Sequence, residues 1–324
     1  MSFIEYVPFS EQGRDEEIPS VICLGCFDGG HIGHMALIRE TVAMKRDMQK
    51  EGKKTRAVAL CFSTIPAKYF LKDKIKSIMT VKQKLDAFKN AGLDGAYICN
   101  FESVYHLTPE EFVGEILYGI CGCVGAVCGF NFTFGCRASG NHETLATLLS
   151  QRNHPVNVIH PIINKGQPVS SSLIRDHIEN GRIEEANALL GKTFSIEHTI
   201  VHGKNLGVKL GFPTINHIIN EDDEQIVPMR GVYATRVIIG GKQYYGVTNV
   251  GKRPTVSESD VITCETHLID VDKDSDFYGD EAVIFFVIML RNEKKFDSFD
   301  ELSNAIANDV KNARTYFQTL YDPI

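Results

Sequence analysis

Near Gly191 the spacing of apolar residues in this 324-residue chain changes from one rhythm to another, and a single sheet or bundle does not accommodate both. Between residues 20 and 190, short runs rich in Val, Ile and Ala alternate with amphipathic stretches of helical spacing. The runs Val21–Leu24, Ala57–Phe62, Ala96–Cys99, Val124–Cys128 and Val156–Ile159 are the expected strands. Helix starts are legible between them. Thr80-Val81-Lys82-Gln83 and Thr108-Pro109-Glu110-Glu111 both fit a capping box, the second with Pro at the first helical position. Such alternation predicts a parallel sheet with helices on both faces and ligands beyond the carboxyl ends of its strands.

From Phe194 onward apolar and polar residues alternate instead, in Phe194–Ile200 and again near 232–239 and 261–269, with a Gly240-Gly241 turn signal between two of the runs. That pattern predicts antiparallel sheet closed into a barrel. Ser298-Phe299-Asp300-Glu301 opens a final helix, whose expected apolar face is Phe299, Leu302, Ile306, Val310, Ala313 and Phe317. The expected domains are therefore 1–190 and 191–324, with residues 1–19 a charged leading strand and loop.

Bulk properties narrow the partners. A net charge of −7 argues against broad attraction to nucleic acid or to an anionic membrane. The longest apolar run, Ala282 to Leu290, is far short of the roughly 20 residues that a membrane helix needs. Nine cysteines sit in apolar runs, which predicts reduced, buried thiols in a cytoplasmic protein. The closest pair, Cys121-Gly122-Cys123, lacks the two-residue spacer of zinc and redox sites and is expected in the core.

Two segments carry chemistry. The first follows the opening strand: Gly25-Cys26-Phe27-Asp28-Gly29-Gly30-His31-Ile32-Gly33-His34. A glycine-rich turn lets backbone approach a ligand, and the helix that follows offers free N–H groups to phosphate. His31 and His34, three apart on that helix, can both donate to phosphate oxygens as charge develops on them. Ser170-Ser171-Ser172-Leu173-Ile174-Arg175 is the second part of this expectation, its hydroxyls capping a helix and Arg175 reaching a phosphate. The second segment, His202 to Asn216, packs glycines and lysines into turns without fitting a P-loop. Gly203, Lys204, Gly207 and Gly211 suit a phosphate cradle. Thr214 and Asn216, two apart in an extended stretch, can offer two neutral oxygens to Mg²⁺.

The Gly25–His34 run resembles the signature of the nucleotidylyltransferase superfamily. From about residue 20 to the end the chain resembles the prokaryotic bifunctional riboflavin kinase/FAD synthetase family. Supporting matches are Gly129-Phe130-Asn131-Phe132-Thr133-Phe134-Gly135 and Ala138-Ser139-Gly140 in the first half. In the second they are Gly211-Phe212-Pro213-Thr214-Ile215-Asn216, Asn249-Val250-Gly251-Lys252-Arg253-Pro254-Thr255, Cys264-Glu265-Thr266-His267 and Arg291-Asn292-Glu293-Lys294-Lys295-Phe296.

The resemblance implies a Rossmann-like adenylyltransferase domain followed by a β-barrel flavokinase domain with a terminal helix. It implies small-molecule partners, namely ATP, riboflavin, FMN and FAD, with Mg²⁺ as cofactor. At the first site it places Gly25, Phe27, Asp28, Gly33, Asn131, Ser170, Ser171 and Ser172 on ATP, with His31, His34 and Arg175 catalytic. At the second it makes Glu265 the catalytic base, adds Pro213, Asn249 and Arg253 to the nucleotide site, and puts Arg291, Glu293 and Phe296 against the flavin. Two departures stand out. Phe62-Ser63-Thr64-Ile65-Pro66 has Ile65 where the family often carries histidine, and Asn292 replaces a usual aspartate.

Overall fold

A computed structural model describes residues 4–6, 18–71, 75–203, 206–220, 223–253, 261–272 and 275–321. The chain divides into two compact units, Met1–Ser171 and Ser172–Ile324. The division falls before Gly191 because the helix Ile183–Leu190 is tied to the second unit. Asn187 donates from Nδ2 to the Phe286 carbonyl, and its Oδ1 accepts the Phe194 N–H at 2.7 Å. Gly191 ends that helix in the left-handed conformation at φ 68°, which glycine adopts without strain.

In the first unit six parallel strands form one sheet. Across it they run Ile4–Tyr6, Gly95–Cys99, Arg56–Phe62, Ser20–Leu24, Cys123–Gly129 and Val156–Ile159. The expected strands are all present, and Ile4–Tyr6 supplies the leading one. Alternate residues feed opposite cores. Ile22, Leu24, Val58, Leu60 and Cys128 pack with the helical stretch Phe112–Ile120 and with Leu145 and Leu149. Val21, Cys23, Ala57, Ala59 and Val127 pack beneath the helix Ile32–Lys50 and Phe88 of Val81–Asn90. Both threonine capping boxes form, at Thr80 and Thr108. Cys121 and Cys123 are buried, and burial pushes the Cys123 thiol up to about 12.

Strand order sets where a ligand can sit. From Ser20–Leu24 the next two long strands add on one side, while Cys123–Gly129 and Val156–Ile159 add on the other. Connections therefore diverge between Ser20–Leu24 and Cys123–Gly129, opening a crevice at their carboxyl ends. Gly25 follows the first of those ends directly, and Asn131 follows the second by two residues.

The second unit is a six-stranded antiparallel sheet, in the order Phe194–Thr199, Glu281–Asn292, Gly231–Ile239, Lys242–Arg253, Val261–Leu268 and Thr214–Ile219. Its two edges meet just beyond the first strand, where Val201 bridges Asn216 and its N–H donates to the Asn216 carbonyl at 2.8 Å. Ala282–Leu290, the longest apolar run, lies within the Glu281–Asn292 strand. The helix Phe299–Tyr321 packs on the sheet through Ile306, Val310, Ala313 and Phe317. Phe299 departs from its expected place: it is 66% exposed, and the helix residues packed into the core cluster of the sheet begin at Ile306. Ser298 caps this helix, accepting the Glu301 N–H, but Glu301 reaches back to the N–H of Asp297 rather than of Ser298.

Candidate functional site

In the first unit the turn after Ser20–Leu24 is held from several directions. Phe27 has φ 54°, a left-handed conformation that costs a non-glycine residue about 1–3 kcal/mol. Its ring is fully buried edge-on against Phe88 at 5.1 Å, and such burial contributes about 1.5–3 kcal/mol, enough to offset the strain. The ring thus anchors the turn and leaves only the Phe27 main chain to face a ligand. Asp28 is also buried; its carboxylate accepts the Ile78 N–H at 2.8 Å and its carbonyl accepts the Ser171 hydroxyl at 2.8 Å. Gly29 and Gly30 complete the turn at φ 84° and 57°.

His31 caps the helix Ile32–Lys50 and is 7% exposed. Its Nδ1 accepts the His34 N–H at 3.3 Å, which assigns the ring proton to Nε2. Burial pushes its pKa down to about 4, so near neutral pH His31 is an uncharged donor. The His31 and His34 rings stack at 3.6 Å, and a Cβ on Gly33 would meet the His31 ring at 3.1 Å. Gly33 is therefore glycine to leave the imidazole its place. Asn131 is exposed, with Oδ1 close over Gly129. Of the neighbouring phenylalanines, Phe130 is exposed, Phe132 half-buried and Phe134 in the core. Ser170 and Ser171 lie in this unit, while Ser172 and Arg175 lie in the second, on the helix Ser171–Glu179.

Two features here were not anticipated. Lys84 is buried and donates from Nζ to the carbonyls of Cys26 at 3.1 Å and Phe62 at 3.0 Å. Its signal was a charge on the inward stripe Val81, Lys84, Leu85, Phe88. The second is a cavity of about 740 Å³ beyond the strands Arg56–Phe62 and Gly95–Cys99, lined by Ser63, Thr64, Lys68, Tyr69, Asn100, Phe101 and Glu102. Ser63 donates to Asn100 Oδ1 at 2.9 Å within it. Phe101 packs against Phe62, Tyr69 and Tyr105 at 5.5, 5.6 and 5.9 Å, giving an aromatic wall. These aromatics come from two separate segments, Phe62 and Tyr69 in one and Phe101 and Tyr105 in the other, which spacing along the chain does not bring together. Ile65 sits beside the cavity-lining Thr64, where the segment enters the helix Pro66–Leu71.

In the second unit strand register assembles the site. Glu265 is opposite Asn216 on one side and Asn249 on the other, so the three lie in one row across adjacent strands. Thr214 is opposite His267, whose Nδ1 lies 2.9 Å from the Pro213 carbonyl and fixes the entry to that strand. The Asn216 side-chain amide reaches the Thr214 carbonyl at 3.2 Å. A Cβ on Gly203 would run into the Asn216 amide, and one on Gly207 would meet Thr214 Oγ1 at 3.3 Å. The glycines thus let the loop backbone pack directly against the two candidate metal ligands. Gly211, at φ 83°, turns the chain back toward Pro213. Lys204 and the side chain of Arg253 fall outside the described residues.

The flavin-side candidates have partners of their own. Arg291 makes a bidentate pair with the buried Asp309, at 2.8 to 3.1 Å, tying the last strand to the terminal helix. Its guanidinium lies 5.5 Å from the Phe296 ring centroid. Glu293 is exposed, 3.7 Å from Arg230, and its carboxylate hangs over Gly251.

Comparison with known proteins places both units. A family model for FAD synthetase matches residues 14–173, and one for riboflavin kinase matches residues 190–317. The bifunctional riboflavin kinase/FMN adenylyltransferase of Bacillus subtilis (strain 168) is 31% identical over 95% of each chain. That of Escherichia coli (strain K12) is 31% identical over 92% of each. A solved structure described as a macrolide-efflux protein from Streptococcus pneumoniae aligns with a TM-score of 0.85 and 27% identity, covering 97% of this chain and 99% of that one.

Proposed function

The chain belongs to the family of bifunctional riboflavin kinase/FMN adenylyltransferases, and from that premise we propose which of its residues carry each reaction. The activity itself has two steps: ATP phosphorylates riboflavin to FMN, and a second ATP adenylylates FMN to FAD with release of pyrophosphate.

Phosphorylation is assigned to the barrel, and the row Asn216–Glu265–Asn249 is the observation that carries it. Glu265 accepts the proton of the ribityl 5′-hydroxyl as its oxygen attacks the γ-phosphorus, with ADP leaving. Asn249, Gly203, Lys204, Gly207, Gly211, Pro213 and Arg253 form the nucleotide side, and Arg291, Glu293 and Phe296 the flavin side. Thr214 and Asn216, two apart on the strand Thr214–Ile219, offer neutral oxygen donors suited to Mg²⁺, and the hydroxyl and the amide oxygen would hold it. When bound, the ion neutralises charge on the β- and γ-phosphates.

Adenylylation is assigned to the first unit. An oxygen of the FMN phosphate attacks the α-phosphorus of ATP, the α–β bridging bond breaks, and pyrophosphate leaves with the electron pair. A general base is unnecessary because a phosphate monoester is already ionised near neutral pH. His31, as a neutral Nε2–H donor, and His34 stabilise the charge developing on the phosphoryl oxygens. The turn N–H groups and Asn131 position the nucleotide, and the aromatic wall around Phe101 suits a planar tricyclic ring. Roles for Ser172 and Arg175 rest on the Ser170–Arg175 motif alone. Free cysteines throughout suit a reducing, cytoplasmic setting.

Incubating the chain with riboflavin, ATP and Mg²⁺, and separating flavins over time, tests the reading. FMN should rise first and FAD follow; FMN accumulating without FAD would remove the second reaction.

A further inference from the structure

We infer that Lys84 is a positioning residue of the adenylyl-transfer site, pinning the phosphate-facing turn and holding a positive charge beneath it. This rests on the assignment of adenylylation to the first unit. Lys84 projects from the first turn of the helix Val81–Asn90 and is 7% exposed. Its ammonium donates to the carbonyls of Cys26 and Phe62, the first inside the glycine turn, the second ending the adjacent strand Arg56–Phe62. One side chain therefore ties the carboxyl ends of two central strands together beside the crevice.

The charge balance is unusual. Two of its three ammonium hydrogens have carbonyl partners, and no acidic side chain pairs with it among the described residues. Asp28, two residues along from Cys26, directs its carboxylate to the Ile78 N–H. A buried ammonium held by carbonyl oxygens keeps its positive charge available to an anion bound at the turn. The tri- and diphosphate groups handled at this turn are such anions, and a fixed cation in a low-dielectric wall favours charge building up during transfer. Drawing the Cys26 carbonyl inward also keeps the turn's carbonyl oxygens from facing the phosphates and helps hold Phe27 at positive φ.

The test compares the whole chain with its Lys84→Met and Lys84→Arg variants, assaying FMN plus ATP to FAD, riboflavin plus ATP to FMN, and binding of ATP without FMN. Lys84→Met should lower the FMN adenylylation kcat by about 100-fold and weaken ATP binding about tenfold, with KM for FMN nearly unchanged. Lys84→Arg, keeping the charge, should restore most of the ATP affinity and part of kcat, and riboflavin phosphorylation should be untouched in both. If Lys84→Met fails to fold, the arginine variant decides: near-normal ATP affinity with reduced kcat supports the role, and equal loss of both overturns it. A folded Lys84→Met with wild-type kcat and ATP affinity also overturns it. Wild-type protein that makes no FAD sinks instead the assignment of adenylylation to this unit.

Discussion

Glu265 has an asparagine opposite it on either side, and neither neighbour brings a charge of its own. The glycines around the row matter as much as the polar groups. Gly203→Ala puts a methyl group into the Asn216 amide, and a displacement near 1 Å at a reacting centre costs on the order of 100-fold in rate. Riboflavin phosphorylation should fall by that order while FMN-to-FAD conversion is retained, as assayed by flavin separation from each starting compound; equal loss of both would contradict the proposed geometry. Legibility at this level was uneven. His31 and Gly33 stand in a short ordered motif that residue types and spacing single out, whereas Glu265 is singled out through the family resemblance of its strand. Lys84 and the Phe101 wall were not legible in the same way, because strand order brings Lys84 to Cys26 and Phe62, and Phe62 and Tyr69 to Phe101 and Tyr105.

Strands and caps were more legible than their boundaries. The first unit's strands came from apolar runs, and Thr80 and Thr108 announced their helices by capping chemistry that is local and cheap to form. The widening of Phe112–Ile120 into a π-helix, where the Cys121 N–H reaches back to the Ile116 carbonyl, carries no comparable local signal. Phe299 fits the helical stripe yet is exposed, since periodicity tells which face is apolar and not how far the partner sheet extends. Within the barrel, the Thr214–Ile219 strand buries His217 completely, and burial pushes its pKa down to about 4, with His198, Glu281 and Cys264 nearby. The neutral ring is the folded form, so stability is full above the unfolded pKa of about 6.5 and is lost as pH falls from there toward 4. The loss should approach about 3 kcal/mol for this one group. Urea midpoints measured from pH 7 to pH 4 on wild type and His217→Leu should show a flatter acid limb in the variant. Parallel curves would rule out His217 as a source of the acid sensitivity.

Considered as a whole, the molecule joins two units to which the proposed assignment gives different ways of holding a polyphosphate. The first uses the divergence of parallel strands, a helix start and two stacked histidines; the second uses a row of side chains fixed by antiparallel register, with glycines above it. The change of rhythm near Gly191 announced the two architectures, while the hydrogen bonds that tie Asn187 to Phe286 and Phe194, and with them the helix Ile183–Leu190 to the second unit, are not encoded in spacing alone. If each unit carries its own reaction, the two must be separable by single substitutions. The decisive measurement is a crossed assay of Glu265→Gln and His31→Ala, each given riboflavin or FMN with ATP and Mg²⁺. Glu265→Gln should make no FMN from riboflavin yet convert FMN to FAD at the wild-type rate, and His31→Ala should accumulate FMN with FAD formation down by about 100-fold. Loss of both conversions in either folded variant would contradict the account.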